Sequence, residues 1–261
     1  MHRAALIYRY AAYWWRSGNA HGLHSPFVYN LYCFIIHHTG HFTAYEQVEK
    51  LRQRLLQDQT PLSVTDLGAG SHTGATRQRK VSTIARTAAK PPRLGKLLFR
   101  LANHFQPKTI LELGTSLGLT TSYLASARRT AQVFTLEGCP AVAQKARENF
   151  QQLGLTNVTL VEGNMDQTLA QTLQKIESLD FVFFDGNHRY EPTLRYFEQC
   201  LTKAHEQSVF IIDDIYWSTE MVHAWKAIKE HPAVLITVDL FYFGLVFFRK
   251  NQPKQHFTLR F

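Results

Sequence analysis

The chain has 261 residues, with 29 Lys and Arg against 20 Asp and Glu, and a formal net charge of +9. This length can bury a large core and suits one α/β domain with an extension. Three widely spaced cysteines without a CxxC pair exclude a disulfide framework and a zinc knuckle, and favour a cytoplasmic location. The basic charge favours acidic partners without identifying one.

Residues 1–90 are predicted to form an N-terminal helical and lid region. Apolar spacing predicts helices over 4–16, 26–37 and 44–57, with Ser25 as the N-cap before Pro26. The first helix interleaves aromatic residues with arginines, and these interrupt the apolar run that a membrane span needs. These aromatic residues would suit base stacking, a membrane surface, a homodimer or a lid contact, but internal packing is favoured for them. They are Tyr8, Tyr10, Tyr13, Trp14 and Trp15.

The segment 58–80 is polar and rich in glycine, which predicts a long loop. It contains "DLGAG" from Asp66 and ends in the basic residues Arg77, Arg79 and Lys80. Two interpretations remain open for the glycine-rich part 66–80. It is either a flexible surface loop or a lid that brings a basic side chain over the functional site.

Residues 91–261 alternate short apolar runs with amphipathic helices, which predicts parallel strands joined by helical crossovers. The last two strands follow each other closely, so they are expected to pair antiparallel. The predicted fold is a doubly wound, Rossmann-like, seven-stranded α/β sheet. Its strands are predicted at 109–113, 132–136, 158–162, 180–184, 208–212, 233–239 and 241–249, and its helices at 93–104, 117–126, 140–152, 166–176, 191–203 and 217–229.

Two glycine-rich stretches compete as the cofactor loop. "TILELGTSLGLT" supplies a strand, a turn with Gly114 and Gly118, and a helix, and Glu137 ends the next strand, where an acid can accept hydrogen bonds from ribose hydroxyls. "DLGAGSHTG" is instead followed by basic residues and prolines, with no strand–helix unit after it. The loop at Gly114 is therefore assigned to the cofactor.

The spacing of this loop argues against a nicotinamide cofactor. It reads G-x-x-x-G rather than G-x-G-x-x-G, and no tyrosine has a lysine four residues later, as a short-chain reductase would require.

Read together, "ILELGTSLG", "TLEG", "VEGNM" and "DFVFFDGNHRYE" resemble the class I S-adenosylmethionine-dependent methyltransferases. Through "LELGTS", "DGNHRYE" and "IIDDIYW" the chain is most similar to the catechol, caffeoyl-CoA and sugar O-methyltransferase groups. The resemblance implies an enzyme with S-adenosylmethionine as cofactor. It implies cofactor contacts from Glu112, Gly114, Thr115, Ser116, Gly118, Glu137, Gly163, Asn164, Met165 and Asp185.

Three acids end neighbouring strands: Asp185 after the fourth, and Asp213 with Asp214 after the fifth. Grouped carboxylates suit Mg²⁺ or another divalent cation, which lowers the pKa of a bound hydroxyl. The resemblance implies a metal site from these three residues, and it places His188 where such enzymes have a base. Alternatively, Asp185 caps the following helix and His188 points to water.

The sequence thus favours O-methylation of a small-molecule hydroxyl, assisted by a divalent cation. An RNA methyltransferase is the second candidate because of the +9 charge, although the Asn-Pro-Pro-aromatic motif of amino-methylating enzymes is absent. A nucleotide-binding module without catalysis is the third. Tyr216 and Trp217 are expected either to wall an acceptor pocket or to pack on the next helix, and Trp225 is expected in the core.

Overall fold

A computed structural model describes residues 2–65, 76–250 and 252–261. Its helices are α1 His2–Arg16, α2 Pro26–Asn30, α3 Thr43–Gln57, α4 Val81–Thr87, α5 Pro92–Phe105, α6 Leu119–Ala127, α7 Pro140–Gln152, α8 Met165–Gln174, α9 Tyr190–Leu201 and α10 Thr219–Glu230. Its strands are β1 Pro61–Thr65, β2 Thr76–Lys80, β3 Thr109–Leu113, β4 Gln132–Glu137, β5 Val158–Glu162, β6 Leu179–Phe184, β7 Ala204–Asp213, β8 Ile236–Asp239, β9 Phe243–Phe247 and β10 Gln255–Thr258.

The chain divides into two compact units. The central unit comprises Thr39–Glu177, and the terminal unit comprises Met1–His38 together with Ser178–Phe261. The first two helices therefore group with the last third of the chain. The boundary predicted at residue 90, between a helical region and a Rossmann-like domain, stays a prediction.

The central unit contains three parallel strands in the order β3-β4-β5. Ile110, Leu111 and Leu113 of β3 are fully buried, as expected for a strand covered on both faces. The helix α5 packs beside α6 through Gly95, where a Cβ would lie 2.5 Å from the Tyr123 ring. This close approach fixes α6, which begins at the end of the predicted cofactor loop.

The central unit also corrects the prediction of a long loop over 58–80. Strands β1 and β2 pair antiparallel, with Pro61 opposite Lys80 and Thr65 opposite Thr76. Residues 66–75, which include the "DLGAG" stretch, lie outside the described part of the chain. The prediction of a lid there stays a prediction, although its basic residues Arg77, Arg79 and Lys80 are located on β2.

The terminal unit contains five strands in the order β10-β8-β9-β7-β6. The strand β9 is antiparallel to β7 and β8, which confirms the predicted terminal hairpin, and β6 is parallel to β7. The strand β10 pairs parallel with β8 and was not predicted. Counted over both units, these strands number eight rather than seven, and the doubly wound, mostly parallel α/β class is confirmed.

The helix ends follow the predicted capping signals. The Ser25 hydroxyl accepts from the Val28 N–H at 3.4 Å, with Pro26 as the first helical residue. A π-helical turn, Leu31–Ile36, replaces the second half of the predicted helix over 26–37. The Ser218 hydroxyl accepts from the Met221 N–H at 3.1 Å, so α10 begins at Thr219 and Trp217 precedes it. Trp217 is consequently 57% exposed, whereas Trp225 lies in the core as predicted.

The N-terminal helix α1 packs through one side only. Tyr13 is 2% exposed and its hydroxyl donates to the Leu259 carbonyl, while Tyr10 contacts the Phe241 ring edge-on at 4.9 Å. Tyr10 and Tyr13 therefore pack against the rest of the terminal unit, as predicted. Tyr8 and Trp15 are 76% and 90% exposed, contrary to that expectation. Within the described ranges, no helix is long and apolar enough to cross a bilayer.

Candidate active site

The predicted cofactor residues of the central unit lie at the C-terminal ends of β3, β4 and β5 and directly after them. Glu137 connects these strand ends. One carboxylate oxygen accepts from the Ser116 N–H at 2.8 Å, and the other accepts from the Cys139 N–H at 2.9 Å. Its backbone carbonyl accepts from the Gly163 N–H at 2.9 Å. One acid thus fixes the turn after β3 against the ends of the other two strands.

Burial raises the pKa of Glu137, and the hydrogen bonds from the Cys139 and Ser116 backbone act in the opposite direction. Each carboxylate oxygen that takes one N–H still has a second lone pair. Glu137 is half-buried, so a ligand can reach its carboxylate. The arrangement suits the two hydroxyls of a ribose, as predicted from the position of this acid.

The turn after β3 has an unusual backbone that brings its N–H groups together. Gly114 and Ser116 have φ of 105° and 49°, and Gly118 has φ of 76°. The N–H groups of Gly114 and Thr115 both donate to the Leu136 carbonyl at 3.1 Å. A Cβ at Gly118 would lie 2.4 Å from the Phe150 ring, so only glycine fits where α6 starts.

Glu112 lies beneath this turn and is fully buried. Its Oε2 accepts from the hydroxyls of Thr121 and Thr135, the latter at 2.6 Å. Burial raises the pKa of Glu112 to about 7, although the two threonine hydrogen bonds act to lower it. Among the described residues Oε1 has no hydrogen-bond partner. A buried acceptor of this kind is costly unless a ligand donates to it.

Two threonines and one cysteine at this site were not predicted. Thr121 and Thr135 hold Glu112, and the Cys139 backbone holds Glu137. The Cys139 thiol also accepts from the Thr65 N–H at 3.4 Å, so the C-terminal end of β1 lies beside the end of β4. Thr121 lies in α6 and Thr135 in β4, neither within a motif of its own, and their partners become visible only in three dimensions.

The remaining predicted cofactor residues of the central unit follow β5. The Asn164 side chain accepts from the Asp166 N–H at 2.9 Å and so caps α8. Met165 is the first residue of that helix and is half-buried, which does not match deep core packing. Its position suits a residue that lines a ligand.

The terminal unit carries the predicted chemical residues. Asp185, His188 and Asp213 each offer a ligand atom, and these atoms lie within 4.8 Å of one another. The His188 Nε2 is 3.6 Å from Asp185 Oδ1. Asp213 is fully buried at the end of β7, and Asp185 and His188 are half-buried after β6. Two carboxylates and one imidazole are a donor set that divalent metals accept.

Asp214 does not join this group of ligand atoms. Its φ of 51° turns the chain immediately after β7, and its N–H donates to the Tyr242 carbonyl at 2.8 Å. The third member of the group is His188, which was predicted as a base, and the assignment of Asp214 as a metal ligand stays a prediction. Assignment of Asp185 to the cofactor stays a prediction.

Comparison with known proteins agrees with this layout. A family model described as a methyltransferase domain matches residues 111–215. The chain is 32% identical over 127 residues to a catechol O-methyltransferase of Niastella koreensis, covering 48% of this chain and 57% of that protein. It is also 32% identical over 139 residues to a catechol O-methyltransferase of Mycobacterium tuberculosis, covering 50% and 61%. The matches thus span little more than half the length of these relatives.

A solved structure extends the likeness in fold beyond the matched segment. An O-methyltransferase from Bacillus cereus, solved in complex with SAH, superposes with a TM-score of 0.58 at 19% identity, covering 84% of this chain and 96% of that one. The matched segment begins within β3, ends two residues after Asp213 and includes every predicted site residue. Residues 111–215 therefore match a methyltransferase domain, and the chain shares its fold with a solved O-methyltransferase.

Proposed function

We propose that the protein transfers a methyl group from S-adenosylmethionine to a hydroxyl of a small molecule, assisted by a divalent cation. The observation that carries this proposal is the pair of acids at the ends of adjacent strands, the fully buried Glu112 and the half-buried Glu137, in a segment that matches a methyltransferase domain. The two relatives named above are catechol O-methyltransferases, which supports an oxygen acceptor.

The residues of the central unit suit the cofactor. The Oε1 of Glu112, which has no partner in the described part of the chain, would accept a hydrogen bond from the ammonium group of the methionine portion. Glu137, already oriented by the N–H groups of Ser116 and Cys139, would accept from the ribose hydroxyls. Both acids act by binding and orientation, which are the main demands of an in-line displacement.

The residues of the terminal unit suit the acceptor. Asp185 and Asp213 would hold a divalent ion, whose charge lowers the pKa of a coordinated hydroxyl. His188 would take the hydroxyl proton. The acceptor oxygen then attacks the methyl carbon, the carbon–sulfur bond breaks, and S-adenosylhomocysteine leaves with the electron pair on sulfur. The positive charge of the sulfonium is lost in this step, and the imidazolium retains the proton.

Calorimetric titration of S-adenosylhomocysteine tests the cofactor half of the proposal. We expect micromolar binding to the wild type and at least a tenfold loss for Glu137→Ala, because a buried, charge-assisted pair of hydrogen bonds disappears. Glu162→Ala is the matched control, since Glu162 ends the neighbouring strand β5 but is exposed and pairs with Arg147 at 3.0 Å. Equal losses for both variants, or no binding to the wild type, would refute the assignment.

RNA remains the second candidate acceptor because of the +9 charge. Methyl transfer to total RNA, measured against a panel of catechols and other small hydroxyl compounds with radiolabelled cofactor, separates the two. Binding of the cofactor product without turnover on any acceptor would instead favour the non-catalytic module.

A further inference from the structure

The outward face of helix α1 is covered by large apolar side chains. Ile7, Tyr8 and Trp15 are 70%, 76% and 90% exposed, and Trp14 is 45% exposed. A helix at the surface of a globular protein normally turns such residues inward. In α1 the inward contacts are made by Arg9, Tyr10 and Tyr13 instead, so the exposed residues are not needed to attach the helix.

The same surface carries positive charge. The Arg260 guanidinium lies 4.9 Å from the Trp14 ring centre, and the Arg260 carbonyl is 3.1 Å from His37 Nε2. Arg16 follows Trp15 at the end of α1 and is exposed. The end of α1, the C-terminal residues and the turn at His37 thus form one aromatic and basic region, which we call the terminal face.

Acidic residues are absent from the segments that build the terminal face. The first acid in the sequence is Glu46 and the last is Asp239, whereas Arg3, Arg9, Arg16, Arg249, Lys250, Lys254 and Arg260 lie outside that interval. All seven of these basic residues belong to the terminal unit. A basic region whose own segments contain no acid attracts anionic partners and repels a second copy of itself.

We propose that the terminal face binds the surface of an anionic phospholipid bilayer, with α1 lying flat in the headgroup region. Tryptophan and tyrosine favour this depth because their rings are apolar and their N–H or O–H groups remain hydrated. Each arginine near an anionic leaflet contributes about 1 kcal/mol of attraction. With fifteen residues, α1 is about 22 Å long, which suits an interfacial helix and is too short to span.

The composition of the face favours lipid over nucleic acid. A surface that binds single-stranded nucleic acid uses aromatic rings for stacking and cations for phosphates. Ile7 and the exposed alanines Ala4 and Ala11 supply neither a ring for stacking nor a cation for a phosphate. Their burial among acyl chains is favourable because it removes apolar surface from water. This inference does not depend on the proposed methyl transfer.

Cosedimentation with phospholipid vesicles tests the proposal. The full chain is mixed with vesicles of phosphatidylcholine alone or with about one third phosphatidylserine, at low and high salt. We expect binding to the anionic vesicles at low salt, at least tenfold weaker on neutral vesicles, and a clear loss in high salt because the charges are then screened. Absence of binding to anionic vesicles would overturn the proposal.

Three exposed substitutions locate the contact. Trp15→Ala removes the most exposed ring without a charge change, and Arg16→Glu reverses the adjacent charge. Lys226→Glu makes the same charge reversal on α10, where the lysine side chain is 71% exposed. We expect the first two variants to bind at least fivefold more weakly and the third to bind like the wild type. Equal losses for Arg16→Glu and Lys226→Glu would mean only general attraction of a basic protein, and would refute a dedicated face.

The same variants also distinguish lipid from two other partners, single-stranded nucleic acid and a second copy of the chain. If Trp15→Ala abolishes binding to a single-stranded oligonucleotide and leaves vesicle binding intact, the face binds nucleic acid and the lipid proposal fails. If sedimentation velocity shows a wild-type dimer that Trp15→Ala converts to a monomer, and no vesicle binding occurs, the face is a self-association surface. Thermal unfolding of each variant verifies that the fold is retained.

Discussion

The guanidinium of Arg9 donates a hydrogen bond to the backbone carbonyl of Tyr216 at 3.0 Å, across 207 positions of sequence. The same guanidinium donates to the Thr219 hydroxyl at 2.9 Å. The first helix thereby holds the segment that leads from Asp213 and Asp214 into α10. This contact gives α1 a role in the order of the candidate site as well as a surface of its own.

Replacing Arg9 is expected to weaken the terminal unit. Arg9→Ala loses hydrogen bonds to a partly buried carbonyl and a hydroxyl, so we expect a decrease of about 1 kcal/mol in the free energy of unfolding. Urea denaturation measures this decrease in the free energy of unfolding. The control is Arg16→Ala, an exposed arginine on the same helix, for which a change below about 0.5 kcal/mol is expected. Equal effects of the two substitutions would contradict a specific role for Arg9.

Gly118 is expected to tolerate no side chain. In Gly118→Ala the new methyl group would lie 2.4 Å from the Phe150 ring at a φ of 76°, so both strain and overlap destabilise the fold by about 1–3 kcal/mol. Gly154→Ala separates the two causes, because Gly154 has a φ of 61° but open space around it. It should cost about 1 kcal/mol or less. Chemical denaturation would show comparable losses if overlap with Phe150 were unimportant.

The buried acid Glu112 is expected to make stability depend on pH. Its pKa of about 7 in the folded chain exceeds the ordinary value of about 4.3, so the folded state holds a proton that the unfolded state has released. The contribution of Glu112 to stability therefore falls as the pH rises from about 4.3 to 7, and it stays low above that.

The isosteric variant Glu112→Gln removes this titration. We expect it to gain stability relative to the wild type as the pH rises through the same window, by at most about 4 kcal/mol. Urea denaturation at a series of pH values measures the difference, with the exposed Glu162→Gln as control. A difference that does not change with pH would show that Glu112 titrates normally.

The two neighbouring aspartates after β7 are expected to differ in their contribution to metal binding. Asp213→Asn should weaken the binding of Mn²⁺ to chelator-treated protein at least tenfold, since Asp213 belongs to the group of ligand atoms. Asp214→Asn keeps a residue that tolerates φ of 51° and should change the affinity by less than about threefold. Calorimetry of both variants decides, and a larger effect of Asp214→Asn would assign the site as the sequence alone suggests.

Some helices and strands were predicted with the correct first and last residues, because their sequences combine a regular apolar spacing with a residue that marks an end. The strands 109–113 and 158–162 and the helix 140–152 match the structure at both termini. Pro140 marks the start of that helix because proline suits the first helical position. Elements that depend on tertiary pairing were missed, such as β2, whose "TRQRK" lacks apolar alternation, and β10, a short edge strand beside β8.

The same distinction holds for the candidate site. Glu137 was identifiable because an acid at the end of the second strand has a direct geometric meaning, and the structure directs it at the turn after β3. The threonines that hold Glu112 were not identifiable, because hydroxyl partners of a buried acid carry no spacing rule. The sequence "DD" likewise gives no sign that Asp213 joins the group of ligand atoms while Asp214 has a positive φ of 51°.

The hydrogen bond from Tyr13 to the carbonyl of Leu259 connects residues 246 positions apart. During translation at about 5–20 residues per second, α1 leaves the ribosome roughly 12–50 s before its partner is synthesised. The central unit, Thr39–Glu177, is complete well before that moment. The exposed aromatic helix must therefore wait unattached while the middle of the chain folds, which makes the nascent N-terminus a natural substrate for chaperones.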